Sequence, residues 1–193
     1  IDVRIKTEDV LLSVRESAAI ISKTKPVNVK PTATAKGVHM TAELLFSDLQ
    51  IGKLMPNYNT EIAKKRIKAY TEAALFKIKQ HQKSGYVFDK IILAIIGDVI
   101  ESDKKHLNSG RACDSGTAEQ MTNAQTAIFL DVIEPLAQLG IPMDVIMVTG
   151  NHDHDGHGLN MFEPGKNHLS YPMFHAIKSF VEFRGYKHVK SFI

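Results

Sequence analysis

The chain has 193 residues, of which 44% are hydrophobic, and a formal charge of +3. That is enough apolar material for one domain-sized core, and no apolar run approaches the ~20 residues that a membrane-spanning helix needs. Cys113 is the only cysteine, which excludes an intrachain disulfide and points to a reducing, cytoplasmic setting.

In chain order, Ile1, Val3 and Ile5 alternate with Asp2, Arg4 and Lys6, the pattern of a short half-exposed strand. Val10, Val14, Ala18 and Ile21 fall at helical spacing, so a small amphipathic helix is expected over 8–21. Residues 22–37 carry four lysines, two prolines, a closing glycine and no acid, the composition of a linker. Two units are therefore expected: an N-terminal extension with a basic linker over 1–37, and a catalytic-type domain over 38–193. The N-terminus lacks the charged, apolar and small-residue order of a signal peptide. The sequence begins at Ile1 and stops on an apolar run.

A first core strand is expected over 38–46. A long helix follows from Thr60 to about Lys83, striped by Ile62, Ala63, Ile67, Ala74 and Ile78 and stopped by Gly85. A second strand covers 89–96, and 101–116 reads as a polar loop. Thr117-Ala118-Glu119-Gln120 has the form of a capping box opening a helix to about Leu139, which Pro135 is expected to bend. A third strand ends at Val148. The His- and Gly-rich loop 154–169 leads to a helix capped by Ser170 and stopped by Gly185, and a fourth strand begins near Lys187. The order β-α-β-α-β-α-β predicts an α/β fold, a largely parallel sheet with flanking helices on both faces.

The strand ends carry the chemistry. Leu44-Leu45-Phe46 runs into Ser47-Asp48-Leu49-Gln50, Ile91 to Ile96 runs into Gly97-Asp98, and Val145 to Val148 runs into Thr149-Gly150-Asn151-His152-Asp153. Ligands of open α/β sheets bind at the carboxyl ends of strands, and three apolar strands ending in Asp or Asn-His are not accounted for by packing. The charge is also divided. Residues 1–90 carry 16 Lys/Arg against 9 Asp/Glu, a net of +7, and residues 91–193 carry 8 against 12, a net of −4. A basic half beside an acidic half suits a polyanion approaching a metal held by carboxylates, and is equally the pattern of ordinary solvated surface.

Asp48-Leu49-Gln50, Gly97-Asp98-Val99-Ile100-Glu101 and Gly150-Asn151-His152-Asp153, in order and about fifty residues apart, resemble the first three motifs of the calcineurin-like metallophosphoesterases. That superfamily includes nucleases, phosphodiesterases and Ser/Thr phosphatases, and the resemblance covers about residues 38–193. It implies the first part of a four-layer α/β/β/α sandwich holding two divalent ions, Mn²⁺ before Fe²⁺, Zn²⁺ or Mg²⁺. By the resemblance Asp48 binds the first ion, Asp98 bridges and Asn151 binds the second through its amide oxygen. His152 protonates the leaving-group oxygen, and Asp153 holds its imidazole. Glu101 stands where the family often has an acid that supports this loop.

Two departures stand out. Gln50 replaces the usual histidine of the first motif, where its amide oxygen is a weaker ligand. The family's Gly-His-x-His is absent from the chain. Either the natural protein continues past Ile193 into a second sheet that carries those histidines, or His154, His157, His168, His175 or His188 substitutes. The expected activity is hydrolysis of phosphate esters, with phosphodiesters or nucleic acid as the leading substrate and no membrane partner. A phosphomonoesterase or protein phosphatase, and a degenerate phosphoesterase-like binding module, are the alternatives. Asn108 and Arg111 in the long loop are candidates to reach substrate phosphate.

Overall fold

Runs rich in Ile, Leu and Val form strands here because each sends alternate side chains into one core, and the intervening segments carry their apolar residues at helical spacing. The computed structural model describes residues 7–30, 36–103, 109–152 and 168–193. Its elements are α1 (Thr7–Ser22), β1 (Val38–Phe46), α2 (Thr60–Lys83), β2 (Tyr86–Ile96), α3 (Thr117–Thr126), α4 (Glu134–Ala137), β3 (Met143–Val148), α5 (Ser170–Arg184) and β4 (Val189–Phe192). The sheet is four-stranded and parallel throughout, in the order β1-β2-β3-β4. The α/β class with flanking helices is therefore as expected. The strand expected at Ile1 to Lys6 lies outside the described residues.

One face of the sheet is the core. Its rows run across the strands in register, Leu44–Leu93–Val145 and Phe46–Ile95–Met147, all almost fully buried. Phe129, Phe174, Ile133 and Leu136 from the helices close over them. The opposite face is open. Leu45, Ala94, Ile146 and Phe192 form a continuous apolar row across all four strands, and Leu45 is 58% and Phe192 50% exposed.

The expectation of helices on both faces is thus corrected. Parallel neighbours joined in sequential order by crossovers of one hand place every helix on the same side. Doubly wound sheets cover both faces only because their strand order reverses. Of the expected α/β/β/α sandwich, the described residues supply one helical layer and one sheet.

Residues 7–30 pack on the rest of the chain. α1 packs on α3 and α5, with Ser13, Ser17 and Ile21 buried. The Ser17 hydroxyl donates to Gln125 Oε1 at 2.5 Å. Arg184 donates to the carbonyls of Ile21 and Thr24 at 2.9 and 2.8 Å, and Lys30 N donates to Gln138 O at 3.0 Å.

Two local expectations are also revised. Thr117-x-x-Gln120 does not form a capping box. The N-cap is Gly116, the Thr117 hydroxyl goes to Asp103, and the Gln120 amide reaches across to Ser102 and Ser115. Ser170 opens α5 rather than capping it, the N-cap being Leu169. The disturbance expected from Pro135 is a π-helical stretch, Ala127–Ile133, joining α3 to α4, in which Glu134 N bonds to Phe129 O. Proline offers no N–H to the carbonyl four residues back, and the wider turn rearranges the pairing just before it.

Candidate active site at the strand ends

The loops that leave β1, β2 and β3 are joined by backbone bonds beyond the strands themselves. Gln50 N donates to Asp98 O at 2.9 Å, Ile51 N to Val99 O at 3.0 Å, and Glu101 N to Ile51 O at 2.9 Å. The two motif glycines explain how the β2 and β3 ends come together. Gly97 has φ +79°, and a Cβ there would stand 2.8 Å from Gly150 Cα. A Cβ on Gly150 would stand 2.1 Å from Asp98 N and 2.2 Å from Asp98 Oδ1. No side chain fits at that approach. The result is a direct contact between the second and third motifs, His152 N donating to Asp98 Oδ1 at 2.8 Å.

Backbone strain gathers at the same place. Among the described residues the non-glycine residues with positive φ are Asp48 (53°), Gln50 (39°), Asp98 (51°) and Ser102 (60°). Such conformations cost of order 1–3 kcal/mol each and concentrate at functional sites. Three of the four are residues that the sequence nominates as ligands.

Around them a polar chain runs across the site. Lys53 Nζ donates to Gln50 Oε1 at 2.6 Å, which orients the amide. The Gln50 amide nitrogen then faces His152 Nε2 at 3.4 Å. His152 Nδ1 lies 3.0 Å from Glu101 Oε2, and Lys53 Nζ is 3.8 Å from that same oxygen. Glu101 and His152 are mostly buried, with 13% and 17% of their side chains exposed.

No family model, no curated protein and no solved structure matches this chain.

The structure brings Gln50, Asp98 and His152 into one cluster. Asp48 is exposed on the β1 loop, and Asn151 is exposed between Gly150 and His152. Asp153, given by the resemblance the task of holding the imidazole, lies outside the described residues, as do His154, His157 and Asn108. The carboxylate found against the ring is that of Glu101. Of the other histidines, His168 reaches the site, its Nδ1 2.8 Å from Gly150 O. His175 packs edge-on against Tyr171, and His188 faces Ala137 O at 2.9 Å. Arg111 is exposed in a short 3₁₀ turn, Ser109–Ala112.

The donor set matches a hard divalent cation in kind: the carboxylates of Asp48 and Asp98 and the amide oxygen of Asn151. It is sparse for two ions. Gln50 Oε1 is occupied by Lys53, and among the described residues no three His, Cys, Asp or Glu side chains converge.

Sequence reading missed two supports of this site. Gln120, fully buried, accepts from Ser102 N at 2.9 Å and donates to Ser115 O at 2.8 Å. Its side chain also fills the space a Cβ on Gly52 would need. Lys53 was an unremarked lysine three residues past Gln50. Gln120 acts on Ser102 in another loop, and Lys53, though only three residues from Gln50, meets its side chain through a loop conformation that no sequence pattern marks.

Proposed function

We propose that the chain is a metal-dependent phosphoesterase whose reaction centre is the junction of the three strand-end loops. The observation that carries the proposal is the contact of Asp98 with His152 between two glycines that admit no side chain, set among strained Asp48, Gln50 and Asp98. Asp48, Asp98 and Asn151 are the residues that would hold a divalent cation, which when bound supplies Lewis-acid activation of water and neutralises phosphoryl charge. His152 is the proton donor to the leaving oxygen, with the Glu101 carboxylate 3.0 Å from its Nδ1. Lys53 adds a cation beside the reacting phosphoryl group. Phosphodiesters are the favoured substrates, since the net +7 of residues 1–90 attracts a polyanion.

A second reading, a non-catalytic binding module, is favoured by the commitment of Gln50 Oε1 to Lys53 rather than to an open ligand position.

The test offers an aryl phosphodiester, single-stranded DNA and double-stranded DNA to the chain with Mn²⁺. Turnover is expected, with His152→Ala lowering kcat by about 10²–10⁴-fold and Asp98→Ala removing Mn²⁺ binding in calorimetry. Mn²⁺ binding without turnover favours the module. Absence of both Mn²⁺ binding and turnover refutes the metal centre.

A further inference from the structure

Beside the candidate centre is a cavity of about 520 Å³ whose lining includes Asp48, Gln50, Lys53, Met55, Tyr58 and Arg66. Asp48 and Gln50 belong to the first motif, so the cavity borders the candidate centre on the side of the β1 loop. Its wall is a built structure rather than a loose loop. Leu54 N donates to Ala112 O at 2.7 Å, Asp114 N donates to Gly52 O at 2.8 Å, and Met55 and Tyr58 exchange backbone bonds of 2.8 and 3.1 Å around Pro56-Asn57. The Tyr58 hydroxyl is tied to Leu49 O, and the Arg66 guanidinium lies over the Tyr58 ring, 5.2 Å from its centroid. On this fixed turn Met55 is 54% exposed.

We infer that this cavity is a nucleoside subsite. It takes the base and sugar on one side of a scissile phosphodiester, with Met55 and Tyr58 against the base and Arg66 toward a flanking phosphate. The inference rests on the phosphoesterase reading and narrows it to nucleotide-containing diesters. Three features carry it together. The cavity volume lies in the range of small-ligand sites. An apolar and aromatic wall has a guanidinium at its rim, the pairing that nucleic-acid sites use for base stacking and phosphate. A phosphoserine, a phosphothreonine or an alkyl monoester has no flat apolar group to fill it.

The experiment compares two diesters with the same leaving group, thymidine 5′-(4-nitrophenyl phosphate) and methyl 4-nitrophenyl phosphate, with Mn²⁺. The expected kcat/KM favours the thymidine ester by about tenfold or more, expressed mostly in KM. In Met55→Ser and Arg66→Gln that preference falls at least about fivefold. Equal kcat/KM for the two esters, or a preference unchanged in both variants, overturns the subsite while leaving the phosphoesterase intact. If neither ester turns over, the phosphoesterase reading fails instead, and calorimetric binding of thymidine 5′-monophosphate decides the subsite. Binding weakened in Arg66→Gln upholds it, and no binding by the wild-type chain overturns it.

Discussion

The φ of +53° at Asp48 places a carboxylate at a position where a side chain is a conformational burden. Its side chain is exposed, so little packing offsets the strain. Asp48→Gly is expected to raise stability in urea denaturation by up to about 1 kcal/mol and, on the proposed function, to abolish Mn²⁺-dependent turnover. A variant that loses stability would show that the strain is absent. Cys113 tests the local environment differently. Burial pushes its thiol up to about 11, with Glu101, Asp103 and Asp114 adding to the effect and Gln120 opposing it. At pH 8 the thiolate is then about one hundred times scarcer than at the ordinary value of 9.0, so alkylation of the folded chain is expected to be about a hundredfold slower than of the unfolded one. A group whose folded value is raised stabilises the fold below its unfolded value and loses that contribution as pH rises through the folded value. The Tyr186 hydroxyl, raised to about 12 mainly by burial and by its bond to Glu134, behaves alike. Stability should therefore decline from about pH 9 toward pH 12, as followed by circular dichroism.

Among the elements, the junction of α4, α5 and the end of α1 has the highest stakes. Glu134 is 4% exposed. It accepts from the Tyr186 hydroxyl at 2.8 Å and lies 2.9 Å from Arg184 Nε, and Arg184 in turn holds the carbonyls of Ile21 and Thr24. Removing one partner of a buried pair leaves an uncompensated charge. Glu134→Leu is expected to cost about 3–5 kcal/mol, a fall in Tm of order 10 °C. A fall of less than ~2 °C in a thermal melt would mean that the pair is solvated. The elements themselves were legible where their signals are local. α2 runs over Thr60–Lys83 as expected, with positive-φ Gly85 just past its Ser84 C-cap, and Asn59, which the sequence reading places in the preceding loop, caps it by accepting from Ile62 N at 2.9 Å. The capping box before α3 misled because Gln120 satisfies Ser102 and Ser115, groups that come near only in the fold. The strand ends were legible for the same local reason as α2, an apolar run closed by Gly-Asp or Gly-Asn-His. Gln120 was not, since it acts on Ser102 in another loop, and Lys53 was not, since its bond to Gln50 depends on the conformation of the loop rather than on a residue pattern.

At the scale of the molecule, the sheet is buried on one side only. Leu93 and Leu45 sit on adjacent strands and opposite faces, the first fully buried and the second 58% exposed. Leu93→Ala is expected to cost about 2–5 kcal/mol, and Leu45→Ala less than about 1 kcal/mol, both by urea denaturation. Equal costs would show that the outer face is covered in solution. All-parallel sheets ordinarily have both faces covered, so the open row of Leu45, Ala94, Ile146 and Phe192 makes this comparison informative. No described helix is long and apolar enough to cross a membrane.

What the sequence determined alone was whatever depends on near neighbours: four apolar strands, the helices between them, and the Gly-Asp and Gly-Asn-His tips whose small residues permit close approach. Only the tertiary structure decided the strand order, and with it the single covered face. It also decided that Glu101 meets the His152 ring and that α1 docks on α3. Those outcomes depend on contacts between segments far apart in the chain, and periodicity and spacing record only the local part of the energy.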